Sequence, residues 1–177
     1  IIHPATTTAS ITPGILSVTD APQAIPNLTY DGSPKTLVTP GSVSAGGHME
    51  YSLDGAVFTQ NIPVGTDAKT YNVWDKAVAD NANYANTPAA VLPVTIAPKT
   101  VSAGDSNVTL TPDTFEYDGT PKKPDVFVRD GGRVIPAGEY TVSYSNNVNA
   151  GQATVTISDN PGGNYTVSGS ATFTIKA

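Results

Sequence analysis

Fifteen carboxylates, two histidines, one tryptophan and no cysteine set the limits of the chemistry open to this 177-residue chain. His3 and His48 have no partner at metal-ligand spacing. The sequence holds no Gly-x-Ser-x-Gly elbow, no His-Glu-x-x-His pair and no phosphate-cradling glycine loop. Many of the carboxylates stand at turns, and Asp31, Asp54, Asp118 and Asp130 each precede a glycine. An aspartate there bonds its own backbone two residues on, which accounts for its position without catalysis. Glycoside hydrolysis needs two carboxylates held roughly 5 to 9.5 Å apart across a groove, and no motif brings such a pair together. The chain reads as a non-enzyme.

Two sets of residues remain as candidate ligand sites. Calcium takes hard oxygen ligands from acidic loops, and Asp80-Asn81 in the first half matches Asp159-Asn160 in the second, with Asp75 near the first pair. No Asp-x-Asp-x-Asp-Gly loop surrounds either pair, and an Asp-Asn pair also simply opens a turn. Calcium is the one cofactor to consider, and otherwise none is expected. The second set is Trp74 with Asn72 and Lys76. Strand parity turns Trp74 outward with Thr156, and Val73 inward with Val155. An outward indole flanked by an amide and an ammonium could stack on a sugar ring; equally, a neighbouring loop or domain could cover it and bond its N–H. A Lys–Asn crosslink would need an Asn on the last strand opposite Lys99, and that strand has none.

The elements that must position these residues are strands. Thr occurs 24 times and Val 18 times against 6 Leu, and β-branched side chains suit a pleated surface. Met49, Tyr51 and Leu53 alternate with Glu50, Ser52 and Asp54. Tyr140, Val142 and Tyr144 do the same with Thr141, Ser143 and Ser145, so one face is buried and one is wet. Asp54-Gly55, Asp118-Gly119 and Asp130-Gly131-Gly132 punctuate the strands as turns. The net charge of −6 comes with nine scattered cations, which argues against nucleic acid. No apolar run approaches the ~18 residues that cross a bilayer, so no membrane insertion is expected of this stretch. Without Cys there are no disulfides and no thiolate metal sites.

One plan occurs twice. Tyr30-Asp31-Gly32-Ser33-Pro34-Lys35 returns as Tyr117-Asp118-Gly119-Thr120-Pro121-Lys122, and Ile11-Thr12-Pro13 returns as Ile96-Ala97-Pro98. Asp67-Ala68-Lys69 matches Asn149-Ala150-Gly151, and Asn83-Tyr84 matches Asn164-Tyr165. The expected division is the terminal strand of a preceding repeat or a lead-in strand at residues 1–11, one domain at 12–97 and a second at 98–177. Pro98 makes the linker short and stiff. Because Tyr30, Tyr84, Tyr117 and Tyr165 recur in pairs, shared packing is expected of them.

These motifs resemble the bacterial immunoglobulin-like repeats of large surface proteins. The resemblance rests on Tyr-Asp-Gly-Thr-Pro-Lys, Gly138 through Asn147, Asn149-Ala150-Gly151 and Gly163-Asn164-Tyr165. The first half, with Tyr51 through Gly55 and Thr70 through Trp74, is similar to a sister variety. At Asp67-Ala68-Lys69 it departs from the Asn-Ala-Gly turn. The resemblance implies an all-β chain of two tandem immunoglobulin-like β-sandwich domains, extracellular, on a bacterial cell surface or secreted. It further implies a non-catalytic structural or spacer module that supports adhesion or display, with neighbouring repeats as its partners. Two alternatives stand beside it: a module that binds glycan or host protein through Trp74, and an accessory domain of a secreted polysaccharide-degrading enzyme.

Overall fold

The computed structural model describes residues 9–177. The lead-in strand expected over residues 1–11 falls for the most part outside them, and residues 9–11 carry no strand. In chain order the strands are β1 (Gly14–Ile15), β2 (Val18–Asp20), β3 (Leu28–Thr29), β4 (Lys35–Thr36), β5 (Ser42–Val43), β6 (Gly47–Ser52), β7 (Val64–Gly65), β8 (Thr70–Ala79), β9 (Tyr84–Ala85) and β10 (Ala90–Ala97). After Pro98 come β11 (Lys99–Ala103), β12 (Val108–Thr111), β13 (Thr114–Glu116), β14 (Asp125–Asp130), β15 (Arg133–Val134), β16 (Tyr140–Ser145), β17 (Gly151–Asp159) and β18 (Tyr165–Lys176). A single 3-10 turn, Ala137–Glu139, precedes β16. The chain is all-β, as its Thr and Val content requires.

Two compact units form. The first takes residues 9–26, Pro34–Gly65 and Thr70–Val94, and the second takes Asn27–Ser33, Thr66–Lys69 and Thr95–Ala177. In the first, β6 and β8 pair antiparallel from Gly47↔Ala79 to Ser52↔Trp74, and β10 lies on the other side of β8. Met49 and Tyr51 of β6 and Val73 and Ala77 of β8 point inward and are buried with Leu37, Val38 and Val94. The alternation expected to run through Leu53 stops one residue short. β6 ends at Ser52, where the Asp54-Gly55 turn begins, and Leu53 is exposed.

In the second unit β16, β17, β18 and β11 form one sheet in that order, with β13 also on β18, and β12, β14 and β15 form another. Val108 and Val128 of the smaller sheet share a core with Val155, Ile157, Val167, Phe173 and Ile175 of the larger. That sandwich-like layering buries alternate residues at about 25 cal/mol per Å² of apolar area. Gly169 of β18 sits between Ala103 and Ile157 of the flanking strands, with φ +149°, and a Cβ there would overlap the Ala103 carbonyl.

The four recurrent tyrosines do not pack alike. Tyr165 is 3% exposed within the core of the second unit, and the Tyr30 ring meets it edge-on, with centroids 5.2 Å apart and planes at 76°. Tyr84 lies against the backbone of Gly14 and Gly46 and stays 37% exposed, and Tyr117 is 51% exposed. Matched sequence positions thus carry unmatched environments.

Candidate functional site

The pairing of β6 with β8 gathers the outward side chains of the first unit into one patch. Register sets Glu50 opposite Lys76 and Ser52 opposite Trp74, with His48 opposite Val78. Because strand side chains alternate, His48, Glu50 and Ser52 share this face with Trp74 and Lys76, and Asn72 follows on the same parity, exposed. Trp74, Asn72 and Lys76 therefore lie on one face of the strand.

A turn takes up part of the indole. Asp54 Oδ1 accepts hydrogen bonds from the Ser52 hydroxyl at 2.7 Å, the Ala56 N–H at 2.8 Å and the Val57 N–H at 3.0 Å. Ser52 Oγ in turn accepts from the N–H groups of Asp54 and Gly55. The Val57 and Ala56 N–H groups, then the Ser52 hydroxyl, hold the Asp54 carboxyl down to about 2. This knot places Gly55, at φ +72°, against the ring, and Trp74 is half-buried.

Beyond the tryptophan the patch is a line of charges. Lys76 Nζ lies 4.0 Å from the centre of the Phe58 ring and 3.9 Å from Glu50 Oε2. Glu50 Oε1 is 3.5 Å from His48 Nε2, and His48 Nδ1 is 2.6 Å from Asp80 Oδ1. The hydrogen bond to Asp80 raises the His48 pKa above its ordinary value; partial desolvation opposes this and Glu50 reinforces it. Asp80, His48, Glu50 and Lys76 thus form a polar strip that bonds within itself. Glu50 and Phe58 were not singled out from the sequence as site residues, and His48 was set aside for want of a ligand partner. Strand parity gives their side of the strand, whereas the register that joins them to Lys76 depends on how two distant segments pair.

The four calcium candidates are placed in two separate units and serve local hydrogen bonds. Asp80 holds His48, and Asn81 Oδ1 accepts the Asn83 N–H at 2.9 Å. Asp159 Oδ1 accepts the Val167 N–H at 2.9 Å, and Asn160 Nδ2 donates to the Gly138 carbonyl at 2.6 Å. Among the described residues no group of three or more His, Asp or Glu side chains could hold a metal ion. Asp75 has inward parity opposite Tyr51, and burial raises its pKa. No family model matches the chain, and no curated protein matches it.

Proposed function

We propose that the chain is a non-catalytic structural module: two immunoglobulin-like β units that space or display a functional part of a secreted or surface-anchored bacterial protein. The observation that carries this reading is one closing device built twice. Leu28 and Thr29 bridge in parallel to Ile96 and Ala97, and the Tyr30 N–H donates to the Ala97 carbonyl. Phe115 and Glu116 bridge in parallel to Ile175 and Lys176, and the Tyr117 N–H donates to the Lys176 carbonyl. The opening is repeated as well, since Gly14 N–H donates to Asn83 O at 2.9 Å and Lys99 N–H to Asn164 O at 3.0 Å. A pairing that recurs along the chain, with both closing copies in the second unit, suits serial joining, where each repeat depends on its neighbours. No helix among the described residues is long and apolar enough to cross a membrane.

A second reading has its own observation: the cation–π pair of Lys76 and Phe58 beside Trp74 gives the β6–β8 face the makings of a sugar or protein contact. Glycan and matrix-protein arrays separate the two. The spacer reading expects no saturable binding by the chain. Saturable binding lost on Trp74→Ala, with the thermal midpoint unchanged, would replace it with the binding reading.

A further inference from the structure

The second unit contains two Tyr-Asp-Gly segments, and they differ in what they touch. The first, Tyr30-Asp31-Gly32, is seated at three points. Tyr30 packs on Tyr165, the Arg133 guanidinium lies over Gly32 where any side chain would collide with it, and Asn164 grips the accompanying segment. That grip is two-handed: Asn164 Oδ1 accepts the Ala68 N–H at 2.6 Å, and its Nδ2 donates to Asp67 Oδ1 at 3.2 Å. The Asn164-Tyr165 pair is therefore a receptor for a Tyr-Asp-Gly segment together with the loop that carries Asp67-Ala68.

The second segment, Tyr117-Asp118-Gly119, has the same backbone setting and, among the described residues, lacks counterparts of Tyr165, Arg133 and Asn164. Its tyrosine is 51% exposed, and a Cβ on Gly119 would come near nothing except the Tyr117 hydroxyl. The counterparts of Asp67-Ala68 are Asn149-Ala150, both exposed, on the wall of a cavity of about 440 Å³ lined by Asn146 through Gln152. Reciprocal bonds tie that loop to the Tyr-Asp-Gly segment: Lys122 N–H to Asn147 O and Asn147 Nδ2 to Lys122 O, each 2.7 Å. Two features that are filled around Tyr30 are thus held together and open around Tyr117.

The receptor also has an open version. In the first unit Asn83-Tyr84 stands in the backbone frame of Asn164-Tyr165. β9 pairs in parallel with β1 at Tyr84↔Gly14, as β18 pairs with β11 at Tyr165↔Lys99. Asn83 is exposed and Tyr84 is 37% exposed.

Resting on the reading of this chain as a module joined in series, we propose that the Tyr117–Asn149 end of the second unit is a docking surface for the Asn83–Tyr84 end of a second copy of this chain. Tyr84 meets Tyr117 edge-on, and the Asn83 amide takes the Ala150 N–H and the Asn149 side chain, as Asn164 does with Ala68 and Asp67. The contact is heterologous, so it leaves one unused end on each partner and propagates head to tail. Successive repeats in one polypeptide make such a contact at an effective concentration in the millimolar range, so a weak contact suffices.

Sedimentation velocity of the whole chain up to about 1 mM tests this. The wild type is expected to associate progressively, and Tyr117→Ala or Asn83→Ala to weaken association about tenfold or more, the size of one lost aromatic pair or amide clamp. Mixed together, those two variants each keep the end that the other lacks. They are expected to form one-to-one pairs that grow no further. If Asn83→Ala lowers the thermal midpoint, Asn83→Asp takes its place, since it keeps the volume and loses the donor. A chain that stays monomeric over the whole range, variants that associate like wild type, or a mixture that does not pair overturns the proposal. None of these results touches the array experiment, whose failure would remove the spacer reading while leaving association as measured.

Discussion

The Trp74 indole lies under Gly55: a Cβ built on that glycine would come 3.1 Å from Trp74 Cε2. The glycine is needed twice over, for its φ of +72° and for this approach. What holds it there is the Asp54 carboxylate, which gathers one hydroxyl and two backbone N–H groups. A turn is thereby coupled to the one aromatic ring weighed both as a ligand platform and as a covered residue.

Trp74 is the only tryptophan, so its emission reports this cover. Asp54→Ala is expected to free the turn and shift the emission to the red at neutral pH. In the wild type the same shift is expected only in strong acid. The Asp54 carboxyl is depressed to about 2, so its contribution is present above the ordinary carboxylate range near 3.9 and is lost as pH falls through about 2. An Asp54→Ala spectrum identical to wild type would show that the turn stands without the carboxylate.

Strand existence and facing were legible from residue pattern alone, because a period of two is a local property. Val73 and Ala77 against Trp74 and Lys76 follow from it. So do the turns at Gly55, Gly119 and Gly131, which have φ of +72°, +76° and +58°. The environment of a residue was not legible. Tyr84 and Tyr165 share a motif and a backbone frame, yet one has Gly14 and Gly46 beside it and the other has Tyr30. His48 has no partner at metal-ligand spacing in the sequence. Its place between Asp80 and Glu50 depends on the β6–β8 register, which no local signal fixes.

His48 gives the first unit a pH-dependent contribution. Its pKa is raised in the folded chain, so the stabilisation is fully present below its unfolded value near 6.5 and fades as pH rises through the folded value. The difference in thermal midpoint between wild type and His48→Gln is expected to be largest below the unfolded value near 6.5 and to shrink as pH rises above it. Asp80→Asn is expected to reduce the same difference. A pH-independent gap between wild type and His48→Gln would mean that the ion pair contributes nothing.

Gly169→Ala is expected to destabilise the second unit. The backbone there has φ +149°, which costs about 1–3 kcal/mol for a side-chain-bearing residue, and the added methyl meets the Ala103 carbonyl besides. Chemical denaturation gives the number. Gly104→Ala, with open space around its Cβ position, is the control and is expected to stay near wild type. Equal stability of the two variants would remove the role assigned to Gly169.

In the docking proposal a Tyr-Asp-Gly segment acts by filling an Asn-Tyr seat, with the Tyr30 segment seated and the Tyr117 segment idle. Hydrogen exchange of the Tyr165–Val167 amides in wild type, Tyr30→Ala and Tyr117→Ala tests it most directly, at concentrations low enough to keep the chain monomeric. Tyr30→Ala is expected to speed exchange there by an amount that corresponds to about 1–3 kcal/mol of lost stability, from the missing ring and the lost aromatic pair. Tyr117→Ala is expected to stay within about 0.5 kcal/mol of wild type. Unchanged exchange in Tyr30→Ala, or an equal effect of the two variants, would contradict the account.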